Sequence, residues 1–491
     1  MGSHAYHAGP VRSLRRGSGT NRSERPLNTI DRLGDRPDDR LGTTIPPWIF
    51  FLGGVIVVTA SVAAGLAAPT APRSIALIPV AIALGLAVLA LAVTRFELFV
   101  ASIILVRASL DAADLGPTAL DAAGALSVLF VGASAIWLLA QRSQPMMPSP
   151  TAPLIPPVTA LFACALLSVT VSAHPLDSLF EVVRFGTLIV IVSVLGRLVR
   201  SGRALRLVLI AAIGSSIVPI LFAIRQITGQ GGVFTSSGLD RVRGTFLHSN
   251  PFAAYLFLMI TLMVSIYPHV ERRWRLVLVP LVLASGGSLI ATYSRGAWVA
   301  TVVALVVIGV VQDRRILWLL GGLIVVVAIA VPSVGVRLSD LSETQKETGA
   351  PGNSLIWRFE YWREVLALQD NPVIGIGFKE VELSLTAAKA PHNDPIRIFV
   401  ETGIVGFAAY VWLLITLGAH ARSTLRRAPP GLPRGLAVAF AASFSGLLLL
   451  SLTANVITQL VILWYFVTIV ALAMVWAPAA GRAPIPTSAH A

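Results

Sequence analysis

Long apolar runs alternate with short polar segments along almost the whole chain. The runs are about 16–22 residues long, so a helix that rises ~1.5 Å per residue would cross a hydrocarbon core of ~30 Å. Helices are the expected conformation, because no water is present in that core to satisfy the backbone. The pattern predicts an all-α polytopic membrane protein with about fourteen transmembrane helices. The predicted spans are 47–68, 74–94, 96–110, 120–140, 154–172, 178–199, 204–228, 251–267, 275–293, 296–311, 316–332, 394–418, 436–454 and 458–476.

Three stretches depart from this alternation. Residues 1–45 are polar and show no periodicity, which predicts a disordered basic tail in the cytoplasm. Residues 479–491 are predicted as a second cytoplasmic tail. Residues 333–393 predict one large outer loop that contains short helices. Within this loop, apolar residues recur at helical spacing over 353–366 and predict an amphipathic helix, with Trp357 and Trp362 as anchors at the membrane surface.

Composition and charge agree with a membrane protein. Hydrophobic residues make up 55% of the 491 residues and charged residues 13%, about half of the ~25% that is usual in a soluble domain. The net charge of +14 would suit nucleic acid. However, the positive charges lie in short segments between apolar spans, so membrane lipids and no nucleic acid are the expected partners. Cys164 is the single cysteine, so no disulfide can form within the chain.

Arginine is concentrated in alternate loops. This bias predicts a multi-pass protein of the inner (plasma) membrane with both termini inside. Some basic residues break the rule because they fall in outer loops, among them Arg243, Arg295 and Arg358. The hairpin that contains Arg295 needs a turn between two membrane helices, but it has no structural need for an arginine. Binding of an anion on the outer face is one explanation.

The loop before residue 251 is the first of two polar outer segments. It contains Arg243, His248 and Asn250, and it ends at Pro251. Proline suits the first turn of a helix, and Asn250 is able to cap that helix. A plain polar loop with one helix cap is therefore an alternative to a binding role for Asn250. A short loop has little structural need for Arg243 and His248, which favours a function for both.

The second polar segment closes the outer loop. His392 and Asn393 stand just before the next span, which contains Arg397 and Glu401. A histidine at the lip of a helical bundle, beside cationic residues, is a plausible proton acceptor. Arg397 and Glu401 are four residues apart, so the two side chains are able to neutralise each other on one helix face.

Several arginines and one histidine, without a recognisable metal-ligand cluster, suit chemistry on a pyrophosphate. Guanidinium groups bind phosphate oxygens in forked geometry and stabilise a departing phosphate as its charge grows. A base then activates an acceptor hydroxyl. The glycines at 375–377 lack the flanking residues of a phosphate-binding loop, so a turn is their expected role. Neither a metal nor another cofactor is predicted.

These segments together resemble the O-antigen ligase/polymerase family. The resemblance covers about residues 278–415, with similarity upstream in the outer arginine loop that holds Arg243 and Asn250. The matching motifs are Ser294-Arg295-Gly296, Arg358 with Trp362, Asn371-Pro372 followed by Gly375-Ile376-Gly377, and His392-Asn393 with Glu401-Thr402-Gly403. On this basis we divide the chain into the tail 1–45, N-terminal helices 46–277, the core 278–415, C-terminal helices 416–478 and the tail 479–491.

The resemblance implies a metal-independent membrane glycosyltransferase with its active site on the outer face. Such an enzyme takes a glycan from an undecaprenyl-pyrophosphate carrier and moves it to an acceptor hydroxyl. The acceptor is a glycolipid, the lipid A core, in ligases and another carrier-linked glycan in polymerases. Carried over to this chain, His392 and Arg295 are catalytic. The substrate-binding residues are Arg243, His248, Asn250, Arg358, Asn393 and Glu401.

Two other classes of function stay open. An anion transporter of the same membrane family would need charges deep within its spans, and Arg184 beside Glu181 and Arg225 are the residues that favour it. Alternatively, the outer loop is a docking surface for a partner in envelope assembly. That hypothesis predicts that Arg295 and His392 lie far apart.

Overall fold

The computed structural model describes residues 90–111, 122–141, 149–229, 234–236, 239–330, 354–385 and 390–476. Both predicted tails, the predicted span 47–68 and most of the span 74–94 lie outside these residues. The same is true of 331–353 and 386–389 in the outer loop. Predictions for those stretches stay predictions.

The first half of the described chain is mostly helical. The α-helices are α1 (Phe96–Arg107), α2 (Ala122–Ala140), α3 (Ile155–Ser168), α4 (Pro175–Leu198), α5 (Gly202–Gly214) and α6 (Ile217–Ile227). Single 3₁₀ turns at Ala152–Leu154 and Val169–Val171 extend α3 at its two ends. An antiparallel hairpin of β1 (Phe234–Ser236) and β2 (Leu239–Arg241) follows, which the hydrophobic pattern does not predict.

The second half contains the predicted core, residues 278–415, and the last helices of the chain. Its α-helices are α7 (Ser249–Ile266), α8 (Arg272–Ala291), α9 (Arg295–Val311), α10 (Arg315–Ala330), α11 (Ser354–Ala367), α12 (Glu380–Ser384), α13 (Asp394–Arg427), α14 (Leu432–Ser451) and α15 (Leu460–Trp476). A 3₁₀ turn at Tyr267–His269 continues α7. Both α11 and α12 lie within the predicted outer loop, and α11 coincides with the amphipathic helix predicted over 353–366.

Seven segments of the described chain are long and apolar enough to cross a membrane, and four shorter apolar helices accompany them. Every span predicted from residue 96 onward coincides with a helix, and α5 and α6 together fill the span 204–228. An α-helical membrane protein is thus confirmed. The total of about fourteen spans is not confirmed.

Helix α7 forms the centre of the bundle. Its side chains from Phe252 to Met263 are all buried, as expected for a helix that packs on every side. Helices α8, α9, α14 and α15 pack against it. Gly446 allows α14 to approach closely, since a Cβ there would lie 2.5 Å from the ring of Phe257. Small residues permit such close approach between membrane helices.

Helix α13 is broken at Gly403, where φ is 66° and ψ is −170°. The break frees backbone groups that a regular helix would pair internally. The carbonyls of Val400 and Glu401 instead accept hydrogen bonds from the amides of Ile376, at 3.1 Å, and Gly377, at 3.2 Å. Interrupted backbone inside a membrane helix persists only where neighbouring groups satisfy it, and here the glycine turn of the outer loop supplies them.

The backbone groups on the other side of the break are also hydrogen-bonded to this turn. The Ile404 amide donates to the carbonyl of Pro372 at 2.8 Å. The two backbones approach so closely that a Cβ on Gly403 would lie 2.2 Å from the carbonyl oxygen of Val373. The side-chain oxygen of Asn371 accepts from two amides within the turn. Residues 371–377 therefore form a turn that closes onto α13, as predicted for the glycines within it.

Candidate active site

The polar segments of the sequence meet at one end of the helical bundle, which we call the site end. Asn393 Nδ2, before α13, donates to the carbonyl of Leu452 after α14 at 3.2 Å. Gly296, at the start of α9, packs so closely on Thr453 that a Cβ would lie 2.9 Å from its hydroxyl. The site end is formed by the loops 241–250, 292–296, 390–393 and 452–458, together with α11.

Arg241 fastens the first of these loops to the bundle. Its side chain is buried, with Nε donating to the carbonyl of Thr292 at 2.8 Å and Nη2 donating to Asn250 Oδ1 at 2.6 Å. Helix α7 has His248 as its N-cap residue, with no side-chain cap hydrogen bond. The predicted cap by Asn250 is therefore wrong, because its side chain accepts from Arg241 instead. Its contact with substrate stays a prediction.

Gln226, at the end of α6, shapes the backbone that carries Arg243. Its Oε1 accepts from the amides of Arg243, at 3.0 Å, and Gly244, at 2.9 Å, while its Nε2 donates to the Gly244 carbonyl at 3.1 Å. Gly244 has a φ of 57°, a conformation that favours glycine. The guanidinium of Arg243 donates to the carbonyl of Leu247 at 3.1 Å. Arg243 and the exposed His248 thus occupy one short, rigidly folded loop.

The charge of Arg295 reaches Arg358, although the two residues are 63 positions apart in the chain. Arg295 is the first residue of α9, after a turn in which Tyr293 has a φ of 51°. Arg358 lies on α11. Burial, and next the positive charge of Arg295, lower the pKa of the Arg358 guanidinium. Two guanidinium charges that repel each other in this way form a site suited to an anion.

Helix α11 is tied to the turn that carries His392. Trp362 Nε1 donates to the carbonyl of Pro391 at 2.6 Å. Trp362 is half-buried, so this side chain fixes the loop, while its predicted role as an anchor at the membrane surface stays a prediction. The described side chains do not include that of Trp357. His392, next to Pro391, has a φ of 53°, which is uncommon for a residue with a side chain.

Asn393 and Asp394 hold the segment between α14 and α15 against the first turn of α13. Asn393 caps α13 by accepting from the Ile396 amide at 3.0 Å, in addition to its bond to the Leu452 carbonyl. Asp394 Oδ2 accepts from the amides of Val456 and Ile457, each at 3.1 Å. Asn393, predicted to bind substrate, thus has a positioning contact on each side, and substrate binding by it stays a prediction.

A buried ion cluster lies one turn further along α13. Arg397 donates from Nε to Glu401 Oε2 at 3.1 Å and from Nη1 to Glu382 Oε1 at 2.7 Å. The side chains of Arg397 and Glu401 are 1% and 0% exposed. Nη1 also reaches the hydroxyl of Thr458 at 3.4 Å. We call Arg397, Glu401, Glu382 and Thr458 the anchor cluster, because it joins α12, α13 and the start of α15.

The predicted pairing of Arg397 with Glu401 agrees with these contacts. Glu401 was also predicted to bind substrate, through the family resemblance. Its carboxylate is enclosed and engaged with Arg397, so the geometry shows a structural contact, while substrate binding by Glu401 stays a prediction.

Glu380 fastens α12 to the loop before α4. Its carboxylate accepts from Ser172 Oγ at 2.6 Å and from Ser384 Oγ at 2.8 Å, and it lies 2.8 Å from His174 Nδ1. Burial raises the pKa of this carboxyl, but the hydrogen bonds outweigh burial and leave the pKa below its usual range. The outer-loop turn is thereby attached at both α4 and α13.

The sequence analysis assigned no role to Arg241 and Asp394, which lie in the two polar segments, and it missed Asn455. Asn455 Nδ2 lies 3.3 Å from Nδ1 of His392. A signal for it existed in the sequence, since Thr453, Asn455 and Thr458 form a polar interruption between two apolar runs. No local pattern, however, indicates that this interruption meets His392. Among the described residues no His, Cys, Asp and Glu side chains are grouped as metal ligands, and the donors at the site end are guanidinium, imidazole, amide and hydroxyl groups.

Comparison with known families agrees with this geometry. Residues 280–411 match the family model described as O-antigen ligase. The chain carries an O-antigen ligase domain. This confirms the resemblance to the O-antigen ligase/polymerase family, and the matched range nearly coincides with the predicted core 278–415. No curated protein matches the chain.

The O-antigen ligase domain contains only part of the site end. It includes Arg295, Arg358 and His392, whereas the loop with Arg243 precedes it and Asn455 follows it. The match supports a glycan-transferring enzyme of the membrane. The site end is therefore formed by segments inside and outside the range 280–411 that matches the family model.

Proposed function

We propose that this protein is a metal-independent glycosyltransferase that moves a glycan from an undecaprenyl-pyrophosphate carrier to an acceptor hydroxyl on the outer side of the membrane. The O-antigen ligase match supports glycan transfer. The carrier, the acceptor and the roles of individual residues are the further parts of the proposal.

The observation that carries the proposal is the closeness of Arg295 and Arg358. Two guanidinium charges that act on the same region attract an anion more strongly than either would alone. A pyrophosphate supplies several oxygens that match the forked donors of arginine. When the glycosidic bond to the carrier breaks, negative charge grows on the leaving pyrophosphate, and the two arginines stabilise that charge. Arg243, on the neighbouring loop, adds a third cation.

His392 takes the role of proton acceptor. The acceptor hydroxyl gives its proton to the imidazole while its oxygen forms a bond to the anomeric carbon of the glycan. The bond between that carbon and the pyrophosphate oxygen breaks, and the electron pair leaves with the carrier pyrophosphate. No metal is needed to balance this step, since the arginines carry the charge and His392 carries the proton.

The observations favour transfer over anion transport. Arg184 is half exposed and pairs with Glu181 at 3.4 Å, and Arg225 is an exposed residue in the last turn of α6. Neither is enclosed within the bundle as a charge along an anion path would be. The docking hypothesis predicts separation of Arg295 and His392, whereas Gly296 packs on Thr453, two residues before the Asn455 that contacts His392.

A transfer assay tests the proposal directly. Purified protein is given a synthetic polyprenyl-pyrophosphate glycan in the presence of a chelator, with lipid A core as acceptor in one arm and no added acceptor in the other. Product in the first arm only indicates a ligase, and chain extension in the second indicates a polymerase. We expect His392→Ala and Arg295→Ala to abolish product, while Arg184→Ala, the matched arginine control, retains it. Anion uptake into vesicles that survives both site changes, without transfer by wild type, would defeat the proposal.

A further inference from the structure

The segment Leu452–Thr458, between α14 and α15, lies outside the O-antigen ligase domain yet is fixed against its centre. The Leu452 carbonyl accepts from Asn393, and two amides of the segment donate to Asp394. Thr453 packs on Gly296, next to Arg295. Three independent contacts therefore determine where the side chains of this segment lie.

Asn455 is the residue that these contacts place beside the histidine. Its side chain is 7% exposed, and its Nδ2 lies 3.3 Å from His392 Nδ1. Its other amide atom, Oδ1, is buried without a hydrogen-bond partner in the part of the chain that the structure describes. His392 itself has an unusual φ of 53°. Such strained backbone persists where surrounding contacts hold it in place.

We propose that Asn455 is a positioning residue that orients the His392 ring for proton transfer. The inference rests on the proposed function, because it assumes that His392 handles the acceptor proton. A carboxamide offers both a donor and an acceptor, so rotation of the amide lets it contact Nδ1 whether or not that nitrogen carries a proton. When Oδ1 accepts Nδ1–H, the neutral ring has its lone pair on Nε2, and Oδ1 gains the partner that it otherwise lacks.

An amide and a carboxylate would act differently at this position. A carboxylate only accepts hydrogen bonds, and its charge stabilises the imidazolium form. Asn455 therefore holds the ring without retaining the proton, which suits a base that must return to its neutral form in each cycle. The elements that meet here also carry other charged or titratable side chains, and the variants below leave all of them unchanged. They are Arg241, Arg243, His248, Arg295, Arg358, Glu360, Arg363, Glu364, Asp394 and Arg397.

The test compares Asn455→Ala and Asn455→Asp with Gln459→Ala, a matched polar control four residues further along the chain, just after this segment. Without any substrate, modification of His392 by diethyl pyrocarbonate is followed across pH by mass spectrometry. We expect Asn455→Asp to raise the pH midpoint of modification by about one unit, and Gln459→Ala to leave it unchanged. In the transfer assay, we expect Asn455→Ala to lower kcat by about tenfold or more with little change in KM, since a general base contributes about 10²–10⁴-fold in all.

The outcomes separate the inference from the proposed function. If His392→Ala abolishes transfer but both Asn455 variants match Gln459→Ala in pH midpoint and in kcat, the positioning role is wrong and the proposed function stands. If His392→Ala remains active, the proposed role of His392 is wrong, and a shifted midpoint in Asn455→Asp then establishes only the contact. If both Asn455 variants lose activity equally with an unshifted midpoint, Asn455 is merely structural and the inference is overturned.

Discussion

The arginine pair (Arg295 and Arg358) and the anchor cluster lie at the same end of the bundle but differ in the charge of the groups next to their guanidinium groups. In the anchor cluster, the buried guanidinium of Arg397 is met by two carboxylates. In the arginine pair, each charge has another guanidinium for a neighbour, and burial and this neighbour lower the pKa of Arg358. In the anchor cluster, carboxylates offset the charge of Arg397, whereas the positive charge of Arg295 adds to that of Arg358.

This difference indicates which arginines stabilise the fold and which ones bind an anion. A buried charge whose partner is removed is strongly destabilising, so Arg397 should matter for folding. A charge repelled by its neighbour contributes little to folding, so Arg295 and Arg358 should matter for the bound anion. The sequence alone predicts the pairing of Arg397 with Glu401, but it does not predict that Arg358 is influenced by Arg295.

The largest expected effect is on stability, in Arg397→Met. Glu401 and Glu382 would lose the guanidinium between them, and we expect a loss of about 3–5 kcal/mol in the free energy of unfolding. Chemical or thermal unfolding of the detergent-solubilised protein measures it. Arg184→Met, in a half-exposed pair with Glu181, is the control and should cost less than about 1 kcal/mol. Equal losses in the two variants would show that the anchor cluster has no special structural role.

Removing either member of the arginine pair should affect transfer instead. We expect Arg295→Ala or Arg358→Ala to lower the transfer rate by about 10²–10³-fold, as for loss of one donor to developing negative charge, with no fall in stability. Inorganic pyrophosphate should raise the unfolding temperature of the wild type but not of Arg295→Ala. A pyrophosphate-dependent shift that persists in both variants would place the anion elsewhere.

The turn that closes onto α13 provides a sharper test of how the outer loop is held. Gly403→Ala puts a Cβ 2.2 Å from the Val373 carbonyl oxygen at a φ of 66°, so we expect a loss of about 1–3 kcal/mol in stability. Gly286→Ala, in α8 with nothing within 4 Å of the added Cβ, is the matched control and should gain up to about 1 kcal/mol. The change in stability of each variant is measured from the midpoint of its unfolding curve. A neutral Gly403→Ala would mean that the break in α13 is not required.

The smallest expected effect is a pH dependence from Glu380. Because its pKa is below the usual value of 4.5 in the folded protein, its contribution to stability is present above about pH 4.5 and is lost as the pH falls through the folded pKa. The unfolding temperature of wild type should therefore fall more steeply below pH 4.5 than that of Glu380→Gln. Asp177→Asn, in the first turn of the adjoining α4, is the control and should follow wild type. Parallel curves for wild type and Glu380→Gln would refute this contribution.

Much of the helical architecture is predictable from the sequence, because hydropathy and spacing act locally. The helix over 353–366, the spans from residue 96 onward and the pairing of Arg397 with Glu401 all follow from residues near each other in the chain. The error has a long-range cause. Asn250 does not cap its helix because Arg241 occupies its side chain. The contact of Trp362 with Pro391, which the sequence does not predict, likewise joins residues that are distant in the chain.

The sequence by itself determined that this is a helical membrane protein, and it predicts cations in unexpected outer positions, since apolar runs and the distribution of arginines are visible without any partner. Only the tertiary structure decided what each arginine meets. It set Arg358 beside Arg295, enclosed Arg397 between carboxylates, and brought Asn455 to His392 across 63 positions of chain. Charge neutralisation and hydrogen bonding depend on which groups lie within a few ångströms, and packing between distant segments fixes that.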